Sequence, residues 1–473
     1  MSSRPMSSQP MSSRRQLKLG AFLSTPGNHL AGWRHPAAVT TSDMDFKQYA
    51  HLARLAEQYK YDTIFFQDTA AVNGSRALAG GDFTRARLSR TVKLEPTALL
   101  AALATITTHI GLIATMTTTY NKPYNVARRF ASIDHISGGR AGWNLVTSQI
   151  EDEAQNFGYD EHLDHAKRYA RASEFYDVVI GLWDSWEADG LLRDKASGIY
   201  MDRDRVHFLD HEGAHFKVRG PLNVARTPQG RPVVAQAGSS EAGRELAAKT
   251  ADVIFTAQTK LQEAQAFYAD VKNRTARYGR TPDDIKIMPG ITPVIGATEA
   301  EARERYEELQ ELLPDDLALQ SLSHISGGLD LTKYPLDGPL PDLPPSNAAK
   351  ARQDLVVRTA RERNMTLRQI ARHTAAGTGH RVLVGTAEYM ADELETWLKQ
   401  DAADGFNVIC NYYHQPFEDF TRLVIPELQR RGIFRTDYEG TTLRANLGLR
   451  VPENRHTEAR NAAAAEEMAD PRA

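Results

Sequence analysis

The chain has 473 residues, of which 41% are hydrophobic and 25% are charged, and its formal net charge is -3. This composition is typical of a globular protein with one large domain or two to three smaller ones, and it argues against a dominant basic face for nucleic acid or an anionic membrane. The single cysteine, Cys410, excludes an intramolecular disulfide framework and suits a reducing compartment. No apolar run is long enough to span a membrane and no secretory signal is recognisable. We therefore expect a cytoplasmic protein with no nucleic-acid or membrane partner.

Both ends of the chain are polar and are predicted to lack a packed structure. Residues 1–16 repeat Met-Ser-Ser with interleaved Arg and Pro, which predicts a disordered leader. Residues 451–473 are polar and rich in alanine, which predicts a flexible tail. The folded part is therefore expected over residues 17–450.

Eight compact runs of apolar or β-branched residues are predicted to form strands that are buried on both faces. In chain order they are Lys18–Leu23, Asp62–Phe66, Ile110–Met116, Ala141–Thr147, Val233–Gln236, Val253–Thr256, Lys286–Ile295 and Phe406–Ile409. Between them apolar residues recur every three or four positions, as in Phe46, Tyr49 and Ala53, which is the spacing of helices. The alternation predicts an α/β fold with a parallel sheet. Eight strands favour a closed TIM (β/α)8 barrel over an open sheet, which stays the alternative.

Two segments between predicted strands are too long for plain barrel loops, namely about residues 149–231 and about residues 296–380. Long insertions that follow barrel strands usually form lids or subunit contacts, because the loops at the carboxyl ends of the strands build the active face. The predicted organisation is one barrel with two large insertions.

The run Gln236–Gly243 follows a predicted strand and contains Gly238, Ser239 and Ser240 at the expected start of a helix. Such a turn presents backbone N–H groups and hydroxyls to an anion, and the helix dipole adds favourable charge, so it suits a phosphate. An ordinary N-cap uses the same residues, and the pattern alone does not separate the two interpretations.

Polar residues also end several apolar strands, where the carboxyl ends of barrel strands converge on one site. Asp68 follows the second predicted strand, Thr115 ends the third, and Asn144 and Ser148 end the fourth. Together these side chains are suited to a polar heterocycle such as an isoalloxazine ring. Taken singly, each is better explained as a loop cap.

Three histidines spaced four residues apart, His207, His211 and His215, form the strongest metal-ligand pattern in the sequence. Gly213 interrupts the helix that would align them, so no metal site is predicted. A metal-dependent hydrolase on the same barrel stays the runner-up function. Walker A, Rossmann and Gly-x-Ser-x-Gly motifs are missing from the sequence, so no catalytic residue is assigned.

Several long motifs resemble the nitrilotriacetate monooxygenase component A family, FMN-dependent oxygenases of the bacterial luciferase-like superfamily. They are Ala114–Tyr124, Arg129–Asn144, His165–Tyr169, Leu182–Trp186, Val218–Leu222, Gln236–Ser240 and Val424–Gly432. The resemblance implies a luciferase-like TIM barrel, and FMN that arrives as FMNH2 from a partner NAD(P)H:FMN reductase. It also implies O2 as the oxidant and a homodimer or homotetramer.

The resemblance further implies the residues of a flavin site, in two groups. Tyr169, Ser239 and Ser240 would hold the phosphate. Asp68, Thr115 and Asn144 would lie beside the ring, with Ser148 as another flavin contact. Gln149 stands where some relatives carry a histidine, so no role of that histidine transfers to this chain.

The implied activity is that of the oxygenase component of a two-component monooxygenase, which uses FMNH2 and O2 to oxidise a small organic substrate. Relatives in this family act on aminopolycarboxylates, organosulfur compounds or halogenated aromatics. His29 and Trp33, just after the first strand, are expected to line the substrate pocket, and the stretch Asn411–Pro416 departs from the pattern of relatives in a way that indicates a different substrate. A flavin-binding protein without oxygenase activity is a further alternative.

Overall fold

Eight parallel strands close into a barrel in the computed structural model, which describes residues 15–41, 43–72, 92–148, 151–344, 350–377 and 379–469. Each strand pairs with the next along the chain, and the last pairs with the first. The prediction of a (β/α)8 barrel is confirmed, and the open sheet is wrong. Strands β1 to β8 span Lys18–Phe22, Thr63–Phe66, Gly111–Thr117, Ala141–Val146, Val233–Gln236, Val253–Thr256, Lys286–Ile295 and Gly405–Ile409.

Helices alternate with the strands and surround the barrel. In chain order the described helices α1 to α16 span Phe46–Gln58, Pro96–Ala104, Pro123–Ser137, Glu151–Asn156, His165–Trp183, Glu241–Thr250, Leu261–Arg274, Glu299–Glu311, Asp315–Ile325, Lys350–Glu362, Leu367–Gly377, Ala387–Lys399, Gln415–Asp419, Ile425–Arg430, Leu443–Asn446 and Arg455–Ala469. A turn of π-helix, Phe420–Val424, joins α13 to α14.

Local sequence explains where several helices begin and end. Helix α3 starts with Pro123, whose fixed φ suits a first helical position, and it stops at Gly138, which adopts φ 70°. Thr386 caps α12 by accepting a hydrogen bond from the N–H of Tyr389. Single residues set these helix boundaries, and each is of a type that commonly begins or ends a helix.

The core has two layers because successive side chains of a strand point to opposite faces. Leu19 and Ala21 of β1 face outward and pack in the layer between the strands and the helices. Phe22 faces inward, where its ring meets Phe65 at 5.6 Å and Phe255 at 4.9 Å. The three rings lie near the carboxyl ends of β1, β2 and β6, so an aromatic surface forms the base of the barrel mouth.

The opposite, amino end of the barrel is closed by residues that follow β8. Leu443 of α15 packs so closely on Gly111 at the start of β3 that a Cβ on this glycine would lie 2.2 Å from it. A buried ion pair ties the same region together: Arg435 donates to Asp62 Oδ1 at 2.8 Å, and Asp62 Oδ2 accepts the N–H of Leu19 at 2.7 Å. Packing at the amino end of the barrel supports stability, whereas the mouth at the carboxyl ends of the strands is the usual place of an active site.

The segment between β7 and β8 forms a second hydrophobic cluster with α9 and α11 at its centre. Leu30 and Ala31, from the loop after β1, belong to this cluster, so the segment packs beside the barrel mouth. An additional strand, Arg381–Gly385, pairs in parallel with the long second half of β7. This strand was not predicted from the sequence.

The segment between β4 and β5 contains α5 and a small hairpin of His211–Glu212 with Lys217–Val218. The residues predicted as a flexible tail, 451–473, include α16, whose Thr457 and Arg460 side chains donate hydrogen bonds to Glu187. Flexibility of the tail, the disordered leader and the limits of the two insertions stay predictions.

Among the described helices, none is long and apolar enough to cross a membrane.

Candidate functional site

The polar residues at the ends of β3 and β4 lie side by side at the barrel mouth. Thr115 is in register with Asn144, and the Asn144 amide donates a hydrogen bond to Thr115 Oγ1 at 2.7 Å. The Thr115 hydroxyl in turn donates to the carbonyl of Phe66 at 2.9 Å. Both side chains are buried, and Asn144 Oδ1 has no hydrogen-bond partner among the described residues. A buried acceptor without a partner is costly, so this oxygen is suited to a donor on a bound molecule.

Ser148 ends the same strand in a left-handed conformation, with φ 52°. Its hydroxyl donates to Thr117 Oγ1 at 2.8 Å, so the side chain stays beside β3. Glu153, which the sequence analysis missed, is buried next to Ser148 and accepts the N–H of Ala70 at 3.0 Å. Burial raises the pKa of Glu153, and its hydrogen bonds with Ala70 and Ser148 oppose that shift. No periodic or motif signal marks this glutamate, because it lies in the long segment after β4.

Asp68 lies just beyond the carboxyl end of β2 and is half-buried. Burial raises its pKa, although Lys93, whose ammonium lies 3.8 Å away, favours the charged form. The charge of Asp68 also raises the pKa of Glu153. Asp68, Glu153 and Ser148 therefore belong to one acidic, partly desolvated side of the mouth.

The turn before α6 is built by two glycines in close contact. A Cβ on Gly238 would lie 2.8 Å from Gly243 Cα and 3.2 Å from the Tyr169 hydroxyl, so the turn admits no side chain there. Gln236 Oε1 accepts the N–H of Gly238 at 2.7 Å and holds the turn in place. Ser240 accepts the N–H of Gly243 at 3.2 Å, as an N-cap does. The cap uses the Ser240 oxygen only as an acceptor, so its O–H can still serve an anion at the helix start, together with the Tyr169 hydroxyl and Ser239.

The two groups of predicted flavin contacts lie on neighbouring strands. Asn144 of β4 is in register with Ala235 of β5, and β5 leads directly into the Gly238 turn. A flavin nucleotide needs a polar surface for its ring and a separate cradle for its phosphate. The buried Asn144 Oδ1 and the side-chain-free turn at Gly238 supply both, so the residues present fit this cofactor.

His29 and Trp33 lie in the loop after β1, which packs against residues that follow β8. His29 is fully buried; its N–H donates to the carbonyl of Asn411 at 3.2 Å, and its Nδ1 accepts the N–H of Ala31 at 3.2 Å. Trp33 is 38% exposed. Both residues lie at the mouth side of the barrel, and their contact with substrate stays a prediction. Gln149 lies outside the described residues.

The three histidines of the metal-ligand pattern do not form one site. His207 is hydrogen-bonded to Glu187 at 3.0 Å, whereas His211 is hydrogen-bonded to Glu174 at 3.0 Å. The backbone N–H of His215 also donates to Glu174, while its ring is not part of either pair. The three side chains therefore serve separate structural contacts, which removes the observation on which the hydrolase alternative depended.

A different group of possible metal ligands comes together only in the fold. Ligand atoms of His51, His414 and Glu418 lie within 4.8 Å of one another. His51 Nε2 is also hydrogen-bonded to Glu418 at 2.9 Å, and the His51 ring stacks on His414, which accounts for the cluster without an ion. His414 and Glu418 are four residues apart, whereas His51 lies far from both in the chain, so the sequence alone does not bring the three together.

Comparison with known proteins places the chain among flavin oxygenases. Residues 26–404 match the model of the family described as luciferase-like monooxygenase. N-acetyl-S-(2-succino)cysteine monooxygenase of Bacillus subtilis (strain 168) is 48% identical over 94% of this chain and 99% of its own length. Nitrilotriacetate monooxygenase component A of Aminobacter aminovorans is also 48% identical, with the same coverage. The crystal structure of a riboflavin lyase with modified FMN has a TM-score of 0.82 and 31% identity, and covers 93% of this chain and 97% of its own.

Proposed function

The chain belongs to the luciferase-like monooxygenase family, and on that basis we propose that it is the oxygenase component of a two-component monooxygenase that uses FMNH2 and O2. Its substrate is a small organic molecule. A partner NAD(P)H:FMN reductase supplies the reduced flavin. We further propose a cytoplasmic homodimer or homotetramer.

The observation that carries the proposal is the buried Asn144 Oδ1 beside the glycine turn before α6. An isoalloxazine ring carries an N–H donor that would satisfy this acceptor, and the turn offers N–H groups and the Ser239 hydroxyl to a phosphate. We propose that Asp68, Thr115, Asn144 and Ser148 contact the ring. Tyr169, Ser239 and Ser240 would hold the phosphate, with Ser240 contributing mainly by capping the helix.

Bound reduced flavin would supply the two electrons with which O2 gives one oxygen atom to the substrate and one to water. The protein holds this chemistry in place and keeps bulk water out. The aromatic rings of Phe22, Phe65 and Phe255 form a water-poor base for the mouth. The segment between β7 and β8 packs beside the mouth and is positioned to cover bound substrate.

The experiment is an anaerobic titration of the full-length protein with FMNH2, followed by mixing with substrate candidates and dioxygen labelled with heavy oxygen. We expect saturable FMNH2 binding, weaker binding of riboflavin, and one labelled oxygen atom in the product. Stoichiometric zinc with no flavin binding would contradict the proposal. Flavin binding that yields only hydrogen peroxide with carboxylate, organosulfur and halogenated aromatic candidates would favour a flavin protein without oxygenase activity.

A further inference from the structure

Arg352 and His380 lie across the barrel mouth from Asn144, at a place to which neither sequence motif nor family resemblance assigns a role. The His380 ring stacks on Phe255 of β6 with centroids 5.0 Å apart and an interplanar angle of 8°. Its Nδ1 would be 2.5 Å from a Cβ on Gly290 of β7. In an eight-stranded barrel β3 and β7 are four strands apart, so His380 faces the Thr115–Asn144 pair from the other side of the mouth.

Arg352 reaches this place from α10. A Cβ on Gly379, the residue before His380, would lie 3.4 Å from Arg352 Nε. Burial lowers the pKa of Arg352, and no carboxylate among the described residues counters that effect. The Arg352 side chain is half-buried, which reduces the solvent screening of its charge. A guanidinium in this condition beside a binding mouth is suited to an anionic group of a ligand, with which it forms bidentate hydrogen bonds.

His380 contributes a different chemistry. Burial and the charge of Arg352 lower its pKa to about 3, so the ring is neutral at neutral pH. Its Nδ1 is buried and has no hydrogen-bond partner among the described residues. In the tautomer that carries the proton on Nε2, Nδ1 is a hydrogen-bond acceptor. Nδ1 therefore requires a donor from the bound molecule.

We propose that Arg352 binds a substrate carboxylate and that His380 Nδ1 accepts a hydrogen bond from a neighbouring substrate N–H or O–H. The inference rests on the proposed function, whose substrate class it narrows to small carboxylates that carry such a donor. Phe255 supports the apolar part of the molecule. Neutral sulfones and halogenated aromatics without a carboxylate lack the group that Arg352 requires. Both residues position the substrate and take no part in the chemistry of oxygen.

The test measures equilibrium binding to the full-length protein, with and without FMN, in metal-free buffer. The probes are nitrilotriacetate, N-acetyl-S-(2-succino)cysteine, nitrilotriacetate trimethyl ester, propane-1,2,3-tricarboxylate and inorganic phosphate. At neutral pH nitrilotriacetate carries an ammonium N–H, whereas the tricarboxylate has none. We expect at least one of the two carboxylates with an N–H to bind well, and the ester and phosphate to bind at least tenfold more weakly.

The variants separate the two contacts. Arg352→Met should lower carboxylate affinity at least tenfold and leave the ester unchanged, and Arg352→Lys should recover part of the loss. His380→Phe keeps a ring on Phe255 but removes Nδ1, so it should weaken the N–H probes severalfold and leave propane-1,2,3-tricarboxylate unchanged. The inference would be overturned if nitrilotriacetate and its trimethyl ester bound equally well, or if phosphate bound as tightly as the carboxylates. It would also be overturned if neither carboxylate with an N–H bound.

FMN affinity and melting temperature are measured on the same samples. Loss of carboxylate binding with normal FMN affinity and folding is the expected result for Arg352→Met. If the wild-type protein binds FMN but neither carboxylate, only this inference fails. If it binds the carboxylates but no flavin, the proposed function fails and the anion site stands.

Discussion

Replacing Asn144 by leucine tests the flavin site at its most specific contact. Leucine has the same branching as asparagine and removes both the amide donor to Thr115 and the buried Oδ1. If Oδ1 accepts a hydrogen bond from the flavin, its loss leaves a buried donor of the cofactor unpaired. Such a loss costs about 1–3 kcal/mol, which corresponds to about 5- to 150-fold weaker binding.

The stability of the flavin-free protein should respond much less to this substitution. Thr115 keeps its hydrogen bond to the carbonyl of Phe66, so the hydroxyl is not left without a partner. Removal of the Asn144–Thr115 hydrogen bond costs about 1 kcal/mol, and removal of the unpartnered Oδ1 offsets it. We therefore expect a change in the free energy of unfolding below about 1 kcal/mol.

The assay combines anaerobic FMNH2 titration with urea unfolding of the flavin-free protein. Asn407→Leu is the matched control, since Asn407 is a buried asparagine on β8 whose amide donates to the carbonyl of Met288 at 3.1 Å. The control should lose stability and keep its flavin affinity once folded. An Asn144→Leu protein that binds FMNH2 as tightly as wild type would refute the assignment of Asn144 to the flavin.

Three further predictions concern the phosphate, a buried ion pair and pH. Ser239→Ala should weaken FMN binding by about tenfold or more, because a hydrogen bond to a charged group is lost. Riboflavin, which lacks the phosphate, should bind unchanged. Equal losses of affinity for both ligands would contradict a phosphate contact. Arg435→Met should lower the free energy of unfolding by about 3–5 kcal/mol, since it leaves the buried Asp62 carboxylate without its cationic partner. Arg430→Met, at an exposed ion pair, should cost less than about 1 kcal/mol. Similar melting temperatures for the two variants would contradict this difference. Burial raises the pKa of Asp134 to about 6 from an ordinary value of 3.8, so the folded state binds the proton more tightly and stability should fall by up to about 3 kcal/mol as pH rises from about 4 to about 6. Asp134→Asn should flatten that slope in urea unfolding across this range, and an unchanged slope would show that another group is responsible.

The barrel strands were predictable because each is buried on both faces and therefore consists of a short apolar run. The missed strand, Arg381–Gly385, has a different environment. Arg381, Val382 and Val384 are only partly buried, and among the described residues the strand pairs with the extended half of β7 alone. Its apolar and polar residues do not alternate regularly, so the strand could be recognised only from its hydrogen-bonded pairing with β7.

In the candidate site, too, some contacts were predictable from the sequence and others were not. Thr115 and Asn144 were predictable as neighbours, because consecutive barrel strands end at one face and bring their terminal residues into register. The use of the Ser240 hydroxyl was not predictable, because a cap and a phosphate cradle need the same residue types. Glu153 was missed for another reason, since its burial arises from the path of the segment after β4.

By itself, the sequence determined the α/β class, the eight barrel strands and the family, because these depend on local apolar patterns and on long contiguous motifs. Tertiary structure alone decided which polar atoms were left without partners. Within the part of the chain that the structure describes, Asn144 Oδ1 and His380 Nδ1 are unpaired, because the surrounding strands and rings remove water without supplying a donor. Arg352 of α10 lies against Gly379, the residue before His380, and no local pattern encodes this contact between distant segments.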